Sequence, residues 1–193
     1  MAHTGPPRVL ISRPLPERVI ARAQDLFELE VRESNAPMTG AEMRSALALY
    51  DGVMPTLGDM FSAAIFAEFG RPRCRILANF GVGYNHIDVE SAKAHGVQVS
   101  NTPGAVTDAT ADTAMALILM SARRAAEGER LVRSGAWQGW NPTQMLGLHV
   151  TGKTVGIVGM GRIGQAIARR GHFGFGMQVL FYNRSPKQVD FSA

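Results

Sequence analysis

Apolar residues in this chain come in short runs separated by stretches of helical spacing. Val9-Leu10-Ile11 is the first run, and Pro16 then opens a segment that puts Val19, Ile20, Ala23 and Phe27 on one side of a helix. Residues 29–31 predict a second strand. Thr39 and Glu42 have the spacing of a capping box, and Met43, Ala46, Leu47 and Tyr50 keep the helical period behind it. Gly52-Val53-Met54 predicts a third strand and residues 60–69 a third helix. Ile76-Leu77-Ala78 reads as a fourth strand, residues 89–95 as a short helix, and Val97-Gln98-Val99 as a fifth strand. Such alternation predicts an α/β unit, a parallel sheet with helices on both faces.

The longest helix expected runs from Thr107 to about residue 129. Thr107 is placed to cap it, and Asp108 and Asp112 suit its positive end. Residues 114–120 are apolar nearly all round, which predicts burial between two layers. Glycines and a proline across residues 134–151 read as a crossover into a second domain near Gly152. There an apolar run, Val155 to Val158, turns through Gly159-Met160-Gly161-Arg162-Ile163-Gly164 into a helix-prone stretch at 165–170. A second apolar run, 177–182, ends in Asn183-Arg184-Ser185. This is the layout of a dinucleotide-binding strand-helix-strand unit.

In that unit Gly159 permits the tight turn, Gly161 lets backbone approach a pyrophosphate, and Gly164 lets the helix pack on the strand. The helix start then aims free N–H groups at the phosphates. From these residues alone, a purely structural turn and a methyl-donor site remain open as alternatives. The end of the second strand bears on the cofactor. An acidic residue there would bind a ribose 2′-hydroxyl and favour NAD. Asn183-Arg184-Ser185 offers a guanidinium and a hydroxyl instead, which suits the 2′-phosphate of NADP, with NAD the second choice.

Composition narrows the classes. Of 193 residues, 46% are hydrophobic and 19% charged, enough for one large or two small cores. The single cysteine, Cys74, excludes an internal disulfide framework and fits a reducing cytoplasm. The N-terminus lacks an apolar signal core, and the longest apolar stretch is too short to span a bilayer, so no membrane partner is expected. The net charge of +4 is spread without basic-aromatic alternation, so no nucleic-acid partner is expected either. No metal site is expected.

A second glycine-rich loop, Asn79-Phe80-Gly81-Val82-Gly83-Tyr84-Asn85, follows the fourth strand, and Asn101-Thr102-Pro103-Gly104 follows the fifth. Both lie where open α/β sheets bind ligands, and the first has the makings of a backbone nest for a small carboxylate, although an ordinary turn explains it too. His86, beside it, reads as a local structural residue.

Taken together, the ordered motifs resemble the D-isomer-specific 2-hydroxyacid dehydrogenases. They comprise Gly81-Val82-Gly83-Tyr84-Asn85-His86-Ile87-Asp88, Gly96-Val97, Asn101 through Asp108, Ala111-Asp112, Arg123-Arg124, Trp137, Trp140 and Gly152 through Gly164. Asn183-Arg184-Ser185 and Asp112 look most like the glyoxylate and hydroxypyruvate reductase branch. The resemblance implies a flavodoxin-like substrate domain over 1–106, an interdomain helix and crossover over 107–151, and the start of a Rossmann domain over 152–193. It implies that the Val82 and Gly83 backbone holds the substrate carboxylate and that Met54 lies in a loop lining the pocket. It further implies that Thr107 sits near the nicotinamide, that Arg162 and Ile163 contact the pyrophosphate, and that Arg184 and Ser185 hold the 2′-phosphate.

In such an enzyme a hydride passes from NADPH to a small 2-keto acid, and the intact protein is a homodimer. The family's catalytic arginine, glutamate and histidine would lie beyond Ala193, so none is assigned here; residues 1–193 are expected to be part of a longer polypeptide and inactive alone. A two-strand, one-helix unit with an unpaired apolar edge supports that expectation. The alternative is a non-catalytic, dinucleotide-sensing module of the corepressor type.

Overall fold

Five strands, β1 (Arg8–Ile11), β2 (Glu28–Val31), β3 (Gly52–Met54), β4 (Ile76–Ala78) and β5 (Gln98–Ser100), pair in parallel in the order β2-β1-β3-β4-β5. This is the flavodoxin-like order. The computed structural model describes residues 5–191, and the chain divides into two units at Pro103–Gly104.

Right-handed crossovers dictate where the helices of the first unit go. The step from β1 to β2 runs one way along the sheet, and every later step runs the other way. Helix α1 (Glu17–Gln24) therefore takes one face, and α2 (Gly40–Leu49), α3 (Ala63–Phe66) and α4 (Val89–Ala94) take the opposite one. The core lies under the three: Leu10, Val53 and Leu77 from the strands meet Met43, Leu47, Phe61, Phe66 and Ala92. The expectation of helices on both faces thus holds fully on one side only. On the other, Val9, Ile76, Ala78 and Met54 line an open apolar cavity of about 430 Å³.

The capping box at α2 forms as expected: Glu42 N–H donates to Thr39 Oγ1 (3.3 Å) and Thr39 N–H to Glu42 Oε2 (2.7 Å). That backbone donor, with the Arg32 guanidinium and the Thr39 hydroxyl, holds the Glu42 carboxyl down to about 2, from an ordinary 4.5. A carboxyl depressed in the folded state stabilises above its unfolded value, and the benefit fades as pH falls toward the folded value. The stability difference between the wild type and Glu42→Gln, followed by urea unfolding, is therefore expected to be constant above pH 4.5 and to vanish toward pH 2.

Two helices depart from the sequence reading. The third begins at Ala63, not near residue 60, because Phe61 is drawn into a parallel bridge with Ile87 and its carbonyl accepts Asp88 N–H (2.8 Å). The expected helix from Thr107 to residue 129 is two helices, α5 (Thr107–Ala122) and α6 (Ala125–Arg133). Arg124 breaks it with φ 55°, its guanidinium gripping Glu127 and reaching Leu146 O, while Ala122 O accepts Leu148 N–H (2.7 Å). The crossing chain comes so close that a Cβ on Gly147 would lie 2.5 Å from Ala122 O. Nor is 114–120 enclosed: α5 buries Ala111 and Met115, and Leu117 is 61% exposed. Thr107 is the first residue of α5 rather than its cap; Val106 holds the cap position, with no side-chain cap.

In the second unit β6 (Thr154–Val158) pairs in parallel with β7 (Gln178–Tyr182), from Thr154↔Gln178 to Val158↔Tyr182. Helix α7 (Arg162–Arg169) connects them through a π turn at Arg170–Gly174. α7 packs on α5, where Arg170 binds Asp112 (2.7 Å) and Asp108 (3.0 Å). Met160, Ala168 and Val179 form the small core, while Val158 is 89% exposed. No described helix is long and apolar enough to cross a membrane.

Candidate functional site

The loop after β4 is built by hydrogen bonds to its neighbours. Asn79 N–H donates to Ser100 O (2.9 Å) and Phe80 N–H to Pro55 O (2.9 Å), so the loop sits at the carboxyl ends of β3, β4 and β5. Three consecutive carbonyls in it are held by side chains. Asn79 Nδ2 donates to Gly81 O (3.1 Å) and Gly83 O (2.9 Å), and Asn101 Nδ2 donates to Val82 O (2.9 Å). In a trans peptide the N–H points opposite to the C=O. The amides of Val82, Gly83 and Tyr84 therefore point away from the two asparagines, and among the described residues none has a protein acceptor. Val82 and Gly83, the residues expected to hold a carboxylate, thus present backbone donors not spent on the protein among the described residues. A cavity of about 250 Å³ lined by Tyr84, Ser100 and Asn101 opens beside them.

Behind this loop His86, buried, places Nε2 3.0 Å from Asn79 Oδ1. Because Nδ2 of Asn79 faces two carbonyls, its other end must be the oxygen, and Nε2 of His86 must carry the proton. Burial pulls His86 below its ordinary pKa, against the attraction of Asp59.

The loops after β1 and β3 are tied by a buried carboxylate. Asp59 accepts from Ser12 Oγ (2.6 Å), Thr56 N–H (2.8 Å) and Met38 N–H (2.9 Å), with Arg13 Nη2 at 3.8 Å. Met54, expected in a loop lining the substrate pocket, is instead the last residue of β3, paired with Ile11 and lining the apolar cavity. β3 covers the three residues that the sequence pattern predicts for it, and Pro55 follows at its end.

In the second unit, Gly159 takes φ +99°, and its N–H donates to Tyr182 O (2.8 Å). A Cβ on Gly164 would stand 2.2 Å from Gly159 O, so helix and loop touch there through bare backbone. A Cβ on Gly161 would meet no protein atom within 4 Å. The first-turn amides of α7, at Arg162, Ile163 and Gly164, have no protein acceptor among the described residues. Asn183 works inside the protein: Met160 N–H donates to its Oδ1 (3.0 Å), and its Nδ2 donates to Ser185 O (2.7 Å). It fastens the glycine loop to the end of β7. Arg184 is exposed next to it, with no partner among the described residues, and Ser185 is exposed as well.

Other reactive groups are otherwise occupied. Burial pushes the Cys74 thiol up to about 11, which makes it inert at neutral pH. His95 Nδ1 lies 2.7 Å from Ser91 O, and His172 Nδ1 lies 3.1 Å from Met177 O. No group of three or more metal-ligating side chains converges among the described residues. Sequence reasoning missed the work of Asn79, Asn101 and Asp59. Each lies within two residues of a glycine or proline in a strand-end loop, which was the available signal, but their partners are far away in sequence or in the backbone.

The chain matches the catalytic domain of the D-isomer specific 2-hydroxyacid dehydrogenases over residues 9–185. It is 43% identical over 186 residues to a glyoxylate reductase of Korarchaeum cryptofilum, covering 96% of this chain and 55% of that protein. A Thermus thermophilus crystal structure matches with TM-score 0.84 at 38% identity, over 96% of this chain and 58% of that one. An NADPH-dependent glyoxylate/hydroxypyruvate reductase from Sinorhizobium meliloti, solved with NADP and malonate, matches with TM-score 0.77 at 33% identity, over 97% of this chain and 57% of that one. The chain spans about half the length of the curated relatives it matches. Matched over residues 9–185 by the family's catalytic-domain model, the chain belongs to the D-isomer-specific 2-hydroxyacid dehydrogenase family.

Proposed function

We propose that these residues belong to an NADP-dependent reductase of small 2-keto acids, glyoxylate or hydroxypyruvate, yielding D-2-hydroxy acids. Residues 1–106 form the substrate domain, 107–151 the linking helix and crossover, and 152–193 the start of the dinucleotide domain. The observation that carries the cofactor reading is the pair of features at the second unit's strand ends. Among the described residues, three amides without protein acceptors open α7 beside a glycine with free space above it, and a guanidinium without a partner stands one residue past Asn183. That set suits a pyrophosphate and a 2′-phosphate.

NADPH, when bound, supplies the hydride for the keto carbon. This chain's part is binding and orientation. Gly161, Arg162, Ile163 and Gly164 present backbone to the pyrophosphate, while Arg184 and Ser185 take the 2′-phosphate. Thr107 stands at the nicotinamide. The Val82 and Gly83 amides fix the substrate carboxylate, so that the keto carbon is held in one orientation. The protein works as a cytoplasmic homodimer.

Arg184→Ala in the complete polypeptide is the test. A charge-assisted contact of this kind contributes about 1.5–3 kcal/mol. The kcat/KM for NADPH with glyoxylate is therefore expected to fall about 10- to 100-fold, with that for NADH nearly unchanged. Equal loss with both coenzymes, or none with either, would remove the 2′-phosphate from Arg184.

A further inference from the structure

We infer that Asn79 is the positioning residue of the anion-binding loop, with His86 as its buried support and Asn101 as a second holder. This rests on reading the Val82–Tyr84 amides as the seat of the substrate carboxylate, and it names what gives that seat its shape.

The loop has no regular structure to fix its peptides, and two of its residues, Gly81 and Gly83, rotate easily. A peptide free to turn over would aim a carbonyl, not an N–H, at an incoming anion. Three side-chain bonds oppose that. Asn79 holds the Gly81 and Gly83 carbonyls, and Asn101 holds the Val82 carbonyl between them. Thr102 N–H adds a second bond to Gly81 O (3.1 Å). Each carbonyl captured behind the loop is one amide turned to its front.

Asn79 can do this only because its own orientation is settled. Its side chain is 2% exposed, and both Nδ2 hydrogens are spent on loop carbonyls. The remaining oxygen would be a buried orphan without His86 Nε2–H. Were the amide turned over, its oxygen would face two carbonyl oxygens and its NH₂ would face an N–H. The histidine thus locks the asparagine, and the asparagine locks the loop. Neutral imidazole and imidazolium both donate from Nε2, so the lock holds in either state. Aspartate at position 79 has nearly the same shape but no donors, and it would repel the carbonyls it now holds.

The test uses the complete polypeptide, with glyoxylate as substrate and oxalate as an inert probe. For Asn79→Asp and His86→Leu, the KM for glyoxylate is expected to rise about 10- to 100-fold, while the dissociation constant for NADPH changes less than about twofold. His86→Gln, which keeps a donor, is expected to restore most of the affinity. In the wild type, oxalate should shift the backbone ¹⁵N–¹H signals of Val82, Gly83 and Tyr84, and Asn79→Asp should abolish those shifts. If Asn79→Asp does not fold, Asn101→Ala decides, with a smaller rise in KM and loss of the Gly83 shift. Variants that fold and keep the wild-type KM and amide shifts would overturn the inference. So would a wild-type loop that ignores oxalate. A wild type whose loop amides answer oxalate but that reduces no keto acid would sink the reductase reading and leave the inference standing.

Discussion

Replacing Asp59 by alanine is expected to destabilise the first unit by about 3–5 kcal/mol, the usual result of removing one member of a buried charged network. Its carboxylate is fully enclosed and satisfies the Ser12 hydroxyl and Met38 N–H from distant segments and Thr56 N–H from its own loop. Alanine leaves those buried donors without their acceptor, and it removes the carboxylate 3.8 Å from Arg13 Nη2, which keeps only its bond to Leu57 O. Each orphaned buried donor costs about 1–3 kcal/mol, so the sum reaches the quoted range before any cavity is counted. Chemical denaturation of the complete polypeptide, followed by a probe in residues 1–103, checks this. A loss below about 1 kcal/mol would mean that water enters the site and serves the same donors. Because Asp59 joins the loops after β1 and β3, partial unfolding there should also raise the KM for the keto acid.

Gly164→Ala is expected to abolish useful coenzyme binding, with an NADPH dissociation constant raised about 100-fold or more. The new methyl would have to occupy a point 2.2 Å from Gly159 O and 3.2 Å from Gly159 C, both backbone atoms. Neither can swing aside as a side chain does, so α7 must move off the turn that its first amides share. Gly161→Ala is the informative contrast. Its φ of −78° is ordinary for alanine and its Cβ meets no protein atom within 4 Å, so stability should stay within about 1 kcal/mol of the wild type. Coenzyme affinity should nevertheless drop, because the methyl would project toward the pyrophosphate. Calorimetric titration with NADPH, beside thermal unfolding, separates the two glycines. Tight binding by Gly161→Ala would show that no phosphate approaches that backbone.

How far these features were legible varies with the range of the interaction. The α2 capping box needed only Thr39 and Glu42 three residues apart, and it formed as read. The third strand and the glycine turn at 159–164 were equally local signals. The helix after Thr107 was misread as continuous because residues 107–129 contain neither glycine before 128 nor proline. Its break at Arg124 depends on Leu146 and Leu148, which no window along the helix includes. Asn183 was read as a cofactor ligand from its place at a strand end, yet its side chain is occupied by Met160 N–H, a partner 23 residues back.

The chain's own order of apolar runs, caps and glycines determined an α/β protein of this family, a parallel sheet followed by a dinucleotide turn. These depend on backbone conformation and on neighbours a few residues apart, which sequence periodicity records directly. Tertiary structure alone decided which face of the sheet the helices leave open, where the long helix breaks, and how Asn79, His86, Asn101 and Asp59 are spent. Such choices hang on the direction of single hydrogen bonds between segments up to 47 residues apart, as from Ser12 to Asp59, and a linear pattern of polar and apolar letters carries no angle.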